Sequence, residues 1–288
     1  MIILRAEEMG FCFGVRDALK DAMTMANPES VTIHGELVHN ETVLTRLRDR
    51  GFEITSESKR VQPGDRPELL ITAHGISERE RRRLKNLGKR LHDTTCPLVT
   101  RAHQAALDFR NDGRLVVVVG RKGHIEVDGL TGDLKDFRVY AKASEVETLA
   151  AKRIGVLSQT TARSEDLQEI IQALRTKNPA ADIKVTPTIC APTQARQTAL
   201  SALTEKVDFL IVVGGANSNN SKQLVLKARR AGCPAERVSG PADIQNSWLT
   251  NVTRIGLTAG TSTPDDLIDA VEDKLLQLAN APDLAHRS

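Results

Sequence analysis

The 288-residue sequence is poor in aromatic side chains, with six Phe, one Trp and one Tyr, or 3% of the chain. A surface that stacks nucleobases needs such rings, and the core must instead be built from Val, Ile, Leu and Ala. Long apolar runs are also missing. Leu115–Val119 is typical and far short of the ~20 residues that span a bilayer, so no membrane partner is expected. Charge of one sign is lacking too: 40 Lys and Arg face 37 Asp and Glu, a net +3, which gives no reason to expect nucleic acid. The first residues, Met-Ile-Ile-Leu-Arg-Ala-Glu-Glu, lack the basic stretch of a secretory signal, so a cytoplasmic location is expected. Four cysteines are too few and too dispersed for a disulfide scaffold. No C-x-x-C pair occurs, and no G-x-G-x-x-G nicotinamide fingerprint opens a helix.

What is present is a soluble globular composition, 40% hydrophobic and 27% charged, long enough for two or three domains. Buried strands are expected at Leu69–Thr72, Leu115–Val119, Ile154–Leu157, Ile183–Val185, Phe209–Val213 and Ile255–Leu257. Helical patterns lie between them at Leu98–Phe109, Ser164–Leu174, Gln194–Leu203, Ser221–Ala231 and Pro264–Leu278. Strand alternating with helix predicts parallel α/β sheets.

A longer period overlies this alternation. Cys96 precedes the strand-ending Gly120 by 24 residues, Cys190 precedes Gly214 by 24, and Cys12 precedes Gly35 by 23. Arg153-Ile-Gly-Val-Leu, followed by Thr160 and Thr161, matches Arg254-Ile-Gly-Leu-Thr, followed by Ser262 and Thr263. The expected architecture is therefore three similar parallel-sheet α/β units, which enclose a central cavity if they face a common axis: 12–95, 96–189, and 190–280 joined by 1–11, with 281–288 as a tail. Ligands gather at the carboxyl ends of parallel strands. There the sequence puts His34 and His39, His74, His124 with Glu126, Thr160 and Thr161, Asn217 to Ser221, and Ser262 with Thr263.

Cys12, Cys96 and Cys190 each stand just before a helical stretch, where a helix N-terminus favours the thiolate, the form that binds soft metals. One such cysteine reads as packing; three in equivalent repeat positions read as ligands. Cys233, in Ala-Gly-Cys-Pro, lies outside the pattern and reads as filler. Three distant thiolates suit zinc or an iron–sulfur cluster. Zinc usually draws its ligands from close pairs, and a cubane cluster usually takes four cysteines, so three would leave one iron open to a substrate.

The remaining motifs are weaker singly. His124-Ile-Glu126 offers a donor and a proton source, against the ordinary reading of a solvated loop. Asn217-Ser-Asn-Asn-Ser221 and Thr261-Ser-Thr-Pro-Asp-Asp266 offer amides, hydroxyls and helix N–H groups to an anion, against plain helix capping, with Thr263 as N-cap and Pro264 opening the helix. The basic run Ser77–Lys85 starts with a capping box, Ser77 to Glu80, and pairs Glu78 with Arg82 at i, i+4. It reads as a solvated face, with an acidic redox partner or nucleic acid as alternatives.

Taken in order, Gly10-Phe-Cys-Phe-Gly-Val15, Val38-His-Asn40, Ala73-His-Gly75, Thr95-Cys-Pro-Leu-Val99, His124-x-Glu-Val127, Gln159-Thr-Thr161, Ile189-Cys-Ala-Pro-Thr193 with Arg196-Gln197, Asn217-Ser-Asn-Asn-Ser221 and Ala259-Gly-Thr-Ser-Thr-Pro264 resemble the LytB/IspH family of 4-hydroxy-3-methylbut-2-enyl diphosphate reductases. The resemblance spans roughly residues 10–275. It implies an iron–sulfur enzyme of the non-mevalonate isoprenoid pathway that dehydroxylates an allylic diphosphate to isopentenyl and dimethylallyl diphosphate. It further implies one [4Fe-4S] cluster held by Cys12, Cys96 and Cys190, with one open iron. Glu126 would handle protons. His39, His74, His124, Thr160, Ser218, Asn219, Asn220 and Ser262 would bind substrate, and an external carrier such as ferredoxin or flavodoxin would bring electrons. Asn219 stands where the family usually has Ser, Ile125 where it has Pro, and Thr261 where it has Ala. A zinc hydrolase or lyase and a non-catalytic iron–sulfur sensor are the competing classes.

Overall fold

The chain opens with strand β1 (Ile2–Arg5) and helix α1 (Phe13–Thr24). Seen in a computed structural model that describes residues 1–57 and 62–280, it then builds one pattern three times. The first pass is β2 (Val31–His34), α2 (Glu41–Asp49), β3 (Glu53–Ile54), β4 (Glu68–Ile71), α3 (Glu78–Asn86) and β5 (Arg90–Asp93). Helix α4 (Pro97–Asn111) leads to the second: β6 (Leu115–Val119), α5 (Ile125–Thr131), β7 (Phe137–Tyr140), β8 (Arg153–Ser158), α6 (Ser164–Lys177) and β9 (Asp182–Val185). Helix α7 (Ala191–Thr204) leads to the third: β10 (Phe209–Val213), α8 (Asn219–Arg230), β11 (Ala235–Val238), β12 (Arg254–Ala259) and α9 (Asp265–Asn280). The tail 281–288 lies outside the described residues.

The strand orders are β3-β2-β4-β5, β7-β6-β8-β9 and β11-β10-β12-β1, and every pairing is parallel. The three sheets share one topology, as the repeat predicts. The fourth place, filled by β5 and β9 in the first two sheets, is filled in the third by the start of the chain. Ile3 pairs with Ile255, and Leu4 with Gly256.

The described chain groups into two compact units. One holds the third sheet and comprises Met1–Cys12, His39–Glu41 and the chain from Ala195. The other, Phe13–Val38 with Thr42–Gln194, holds the first two sheets. In the first unit, Leu210 and Val212 face Leu200, Leu203 and Leu224, while Ile211, Val213 and Leu257 face Ile268, Val271 and Leu275. In the second, Val117 and Val156 pack on Ile170 and Leu174; Val116, Val118 and Leu157 pack on Ala106 and Phe109. Both faces of each of these sheets are covered, as parallel sheets require. The matching Arg-Ile-Gly sequences acquire a reason here. Gly155 lies beneath the Phe109 ring, and a Cβ on Gly256 would press on Leu210 and, at 3.1 Å, on Leu203. Each glycine lets a helix close onto the middle of its sheet. The helices concerned are α4 and α7, which follow Cys96 and Cys190.

The basic helix α3 departs from expectation in one ion pair. Ser77 accepts from the Glu80 N–H at 3.1 Å, as a capping residue does, and the Glu80 carboxylate also meets Arg83, 2.7 Å away. Glu78 pairs with Arg81 at i, i+3, 3.1 Å away, instead of with Arg82. The helix is capped from the next lobe of the same unit: Asp133 accepts from the Glu78 and Arg79 N–H groups at 2.7 and 2.8 Å. Gly132 fits beside Ser77, where a Cβ would come within 2.6 Å.

Candidate active site

Each of the three repeat cysteines follows the fourth strand of a sheet and precedes a helix: β1–Cys12–α1, β5–Cys96–α4, β9–Cys190–α7. Each backbone N–H makes the same bond. Cys96 donates to Ala73 O at 3.1 Å, Cys190 to Thr160 O at 3.0 Å, and Cys12 to Thr261 O at 3.2 Å. In every case the acceptor lies two residues past the third strand of its sheet (β4, β8 or β12), at the carboxyl end. Cys96 caps α4, Pro97 is the first helical residue, and the Cys96 carbonyl accepts from Val99 and Thr100 at 2.9 and 3.0 Å. The Cys190 thiol donates to Thr193 Oγ1, 3.1 Å away. None of the four cysteines forms a disulfide; the three repeat cysteines are half-buried and Cys233 is buried. Burial pushes the Cys233 thiol up, consistent with filler.

Gly14, two residues along the chain from Cys12, packs on the Cys96 sulfur. A Cβ there would stand 2.5 Å from Sγ, so this position in α1 admits only glycine if the sulfur keeps its place. In the other unit the buried Arg196 guanidinium donates to Gly10 O at 2.7 Å, pinning the loop that carries Cys12. Arg196 follows Thr193 by three residues in the motif after Cys190, and its role emerges only from this bond.

His124 and Glu126 are not a solvated loop. They are 3% and 1% exposed, because His124 is the N-cap of α5 and its Nδ1 accepts from the Glu126 N–H at 3.2 Å. The turn sends the carboxylate inward, where Oε1 accepts from the buried Thr160 N–H at 2.6 Å. The His74 ring meets His124 edge-on at 5.8 Å and 84°. The structure thus gathers His74, His124, Glu126, Thr160 and the Cys190 backbone at the carboxyl ends of the first two sheets.

The third-sheet unit gathers another set. Ser218 caps α8, accepting from Ser221 N at 3.3 Å, and the Ser221 hydroxyl donates to Ser218 Oγ at 3.0 Å. Gly214 and Gly260 leave room for Ser221; a Cβ on either would overlap its Oγ. Asn219 and Asn220 are buried in the first helical turn, and Asn220 Nδ2 has no hydrogen-bond partner among the described residues. An orphaned amide at a helix N-terminus is what an anion pocket requires. Ser262 Oγ lies 3.4 Å from His39 O, and Gly215 passes close under the same carbonyl. Thr263 is not the N-cap expected of it: its hydroxyl donates to Val213 O at 2.9 Å, and α9 starts at Asp265.

These features define a class: a three-repeat parallel α/β protein with one thiol per repeat at the carboxyl ends of its strands. The sequence model described as LytB protein matches residues 3–276. The 4-hydroxy-3-methylbut-2-enyl diphosphate reductase of Chromohalobacter salexigens is 36% identical, covering 98% of this chain and 92% of its own; that of Pseudomonas aeruginosa is 35% identical, covering 94% and 89%. The solved E-1-hydroxy-2-methyl-but-2-enyl-4-diphosphate reductase of Plasmodium falciparum superposes with a TM-score of 0.85 at 28% identity, over 98% of this chain and 89% of its own. A second solved structure, (E)-4-hydroxy-3-methyl-but-2-enyl diphosphate reductase, described as the terminal enzyme of the non-mevalonate pathway, gives a TM-score of 0.63 at 30% identity over 96% and 100%. The chain belongs to the LytB family.

Proposed function

We propose that this chain is a reductase that removes the hydroxyl of (E)-4-hydroxy-3-methylbut-2-enyl diphosphate to give isopentenyl and dimethylallyl diphosphate, the terminal step of the non-mevalonate isoprenoid pathway. The observation that carries the reading is the repeated bond of Cys12, Cys96 and Cys190 to one equivalent carbonyl in each sheet. Packing alone gives no reason for three thiols to occupy one repeated place. The donor set suits a [4Fe-4S] cluster with three protein ligands, and Gly14 leaves the Cys96 sulfur the room that a side chain would fill. When bound, the cluster supplies the electrons and a Lewis-acidic iron.

The chain's own residues do the rest. Glu126, held by the Thr160 N–H, is the proton source for the leaving hydroxyl, because hydroxide is a poor leaving group. His124 and His74 orient the substrate. Ser218, Asn219, Asn220, Ser262 and His39 take the diphosphate through amides, hydroxyls and an imidazole, and the α8 N-terminus favours its negative charge. Asn219, in place of the family's Ser, keeps a donor but adds bulk. Ile125 and Thr261 leave the proposed ligands and the acid unchanged. In this reading 12–95, 96–189 and 190–280 with 1–11 are three similar units, and the enzyme is cytoplasmic, fed by an external carrier such as ferredoxin or flavodoxin. Among the described residues no helix is long and apolar enough to cross a membrane.

Anaerobic iron and sulfide analysis, followed by turnover with a chemical reductant, tests this. Iron with matching sulfide and substrate reduction support it. Zinc without colour, or iron–sulfur protein inert toward the substrate, points to the competing hydrolase or sensor.

A further inference from the structure

We propose that the exposed face of α3 is the docking site of a small acidic one-electron carrier protein; this deepens the reductase reading and rests on it. Residues 78–90 contain seven of the chain's 40 basic side chains and two of its 37 acidic ones, a net +5. Since the whole chain is +3, everything outside this segment sums to −2. The segment is therefore a local concentration of positive charge, offset in part by Asp93 on Arg81, Glu68 beside Arg90 and Asp133 at the helix start. The two acids of the helix offset Arg81 and Arg83, their ion-pair partners, and leave the other cations of the helix. Arg79, Arg82 and Lys85 are exposed, and no salt bridge to them occurs among the described residues. Leu87, 54% exposed, sits at the end of the same helix, giving the apolar spot with a charged surround that protein interfaces use.

The face is wired to a proposed cluster ligand within the same unit. Arg81 Nη1 lies 2.6 Å from Asp93 Oδ2. The Asp93 Oδ1 accepts from the Thr95 N–H and hydroxyl at 3.0 and 2.5 Å, and Thr95 adjoins Cys96. The charged groups around this junction are Glu78, Arg81, Asp93 and Asp133. A nucleic acid would also meet positive charge here, but residues 53–108 contain no Phe, Tyr or Trp to stack a base. The chain also lacks a nicotinamide fingerprint, so its electrons must arrive from outside. Removing the substrate hydroxyl takes two electrons and two protons: the C–O bond breaks, a C–H bond forms, and the oxygen leaves as water with the diphosphate untouched. Each visit of the reduced carrier delivers one electron and oxidises it by one, so two visits complete a turnover. Opposite charge accelerates such encounters and makes them sensitive to salt.

The experiment compares two reductants on the cluster-loaded enzyme: reduced methyl viologen, and a reduced acidic [2Fe-2S] ferredoxin. The variant Arg79→Glu/Arg82→Glu/Lys85→Glu should keep viologen-driven turnover within about twofold. Its ferredoxin-driven kcat/KM should fall about 10–100-fold and lose its dependence on ionic strength. The control Lys152→Glu/Lys184→Glu/Lys206→Glu, of equal charge change at exposed positions elsewhere, should match the parent with both reductants. If the triple variant folds poorly, Arg82→Gln/Lys85→Gln gives the same comparison with a smaller drop. Equal ferredoxin-driven rates in parent and variant would overturn the proposal. So would loss of single-stranded RNA binding in the variant with ferredoxin-driven rates unchanged. Absence of viologen-driven turnover in the iron-loaded parent would instead remove the reductase reading beneath it, and this proposal with it.

Discussion

Glu126 and Cys190 are joined through a single residue. The N–H of Thr160 donates to the Glu126 carboxylate at 2.6 Å, and the carbonyl of Thr160 accepts from the Cys190 N–H at 3.0 Å. The proposed acid and a proposed cluster ligand are therefore held against the same turn, beyond strand β8. Shifting that turn would move both.

The first prediction follows from that bond. Glu126→Gln keeps a carbonyl oxygen for the Thr160 N–H and removes the acid. Iron content and substrate affinity should be unchanged while kcat falls about 10²–10⁴-fold, the usual contribution of positioned general-acid catalysis. Near-normal steady-state turnover would reduce Glu126 to a prop for its loop.

The cysteines should divide three against one. Serine at Cys12, Cys96 or Cys190 should lower iron per chain, whereas Cys233→Ser should leave it intact, since that thiol is buried outside the repeat. Iron analysis of the four proteins is the check. Full occupancy in any one of the first three would break the proposed ligand set.

Gly14 offers a finer probe. Alanine is favoured over glycine in a helix by about 1 kcal/mol, so Gly14→Ala should not harm α1 itself. Its Cβ would come within 2.5 Å of the Cys96 sulfur. The expected result is normal helix content by circular dichroism with reduced iron loading. Unchanged loading would mean that the sulfur has room to move.

Asn220 should read the phosphate charge. Asn220→Asp replaces a buried amide that has no partner among the described residues by a carboxylate, and the variant should bind the diphosphate at least about 10–100-fold more weakly, the worth of one hydrogen bond to a charged group before like-charge repulsion is added. The dephosphorylated alcohol should lose much less. Equal losses would place the diphosphate elsewhere.

Acid should expose a strut of the third sheet. Asp208 is held down to about 2 by the Thr253 hydroxyl, then by the Arg254 and Thr253 N–H groups. Its folded value lies below the ~3.9 of an unfolded Asp, so its contribution to stability is complete above that value and disappears as pH falls towards 2. The melting temperatures of the parent and Asp208→Asn should differ at neutral pH and converge in this acid range. A constant gap would show that the charge is not what matters.

Much of this was legible in the sequence, for physical reasons that differ by element. Strands β6 and β10 are continuous apolar runs, Leu115–Val119 and Phe209–Val213, because both faces of their sheets are covered; burial wrote their ends into the composition. The N-terminal strand β1, Ile2–Arg5, was not among the expected strands; it pairs with β12 of the third sheet. Side-chain direction was not legible. His124 and Glu126 look like loop residues until the N-cap turns them inward, a matter of backbone angles. Thr263 sits where a cap belongs, yet the nearby Val213 carbonyl takes its hydroxyl. Arg82 had the right spacing for Glu78, but Arg81 meets that acid and Asp93 together. Such outcomes depend on partners distant in sequence, which spacing does not encode.

The most direct test of the central claim is the stoichiometry of a reduced, iron-loaded sample turning over (E)-4-hydroxy-3-methylbut-2-enyl diphosphate. The account predicts two electrons consumed per hydroxyl lost, isopentenyl and dimethylallyl diphosphate as products, and no free diphosphate. Release of diphosphate, or substrate consumed without electrons, would contradict it.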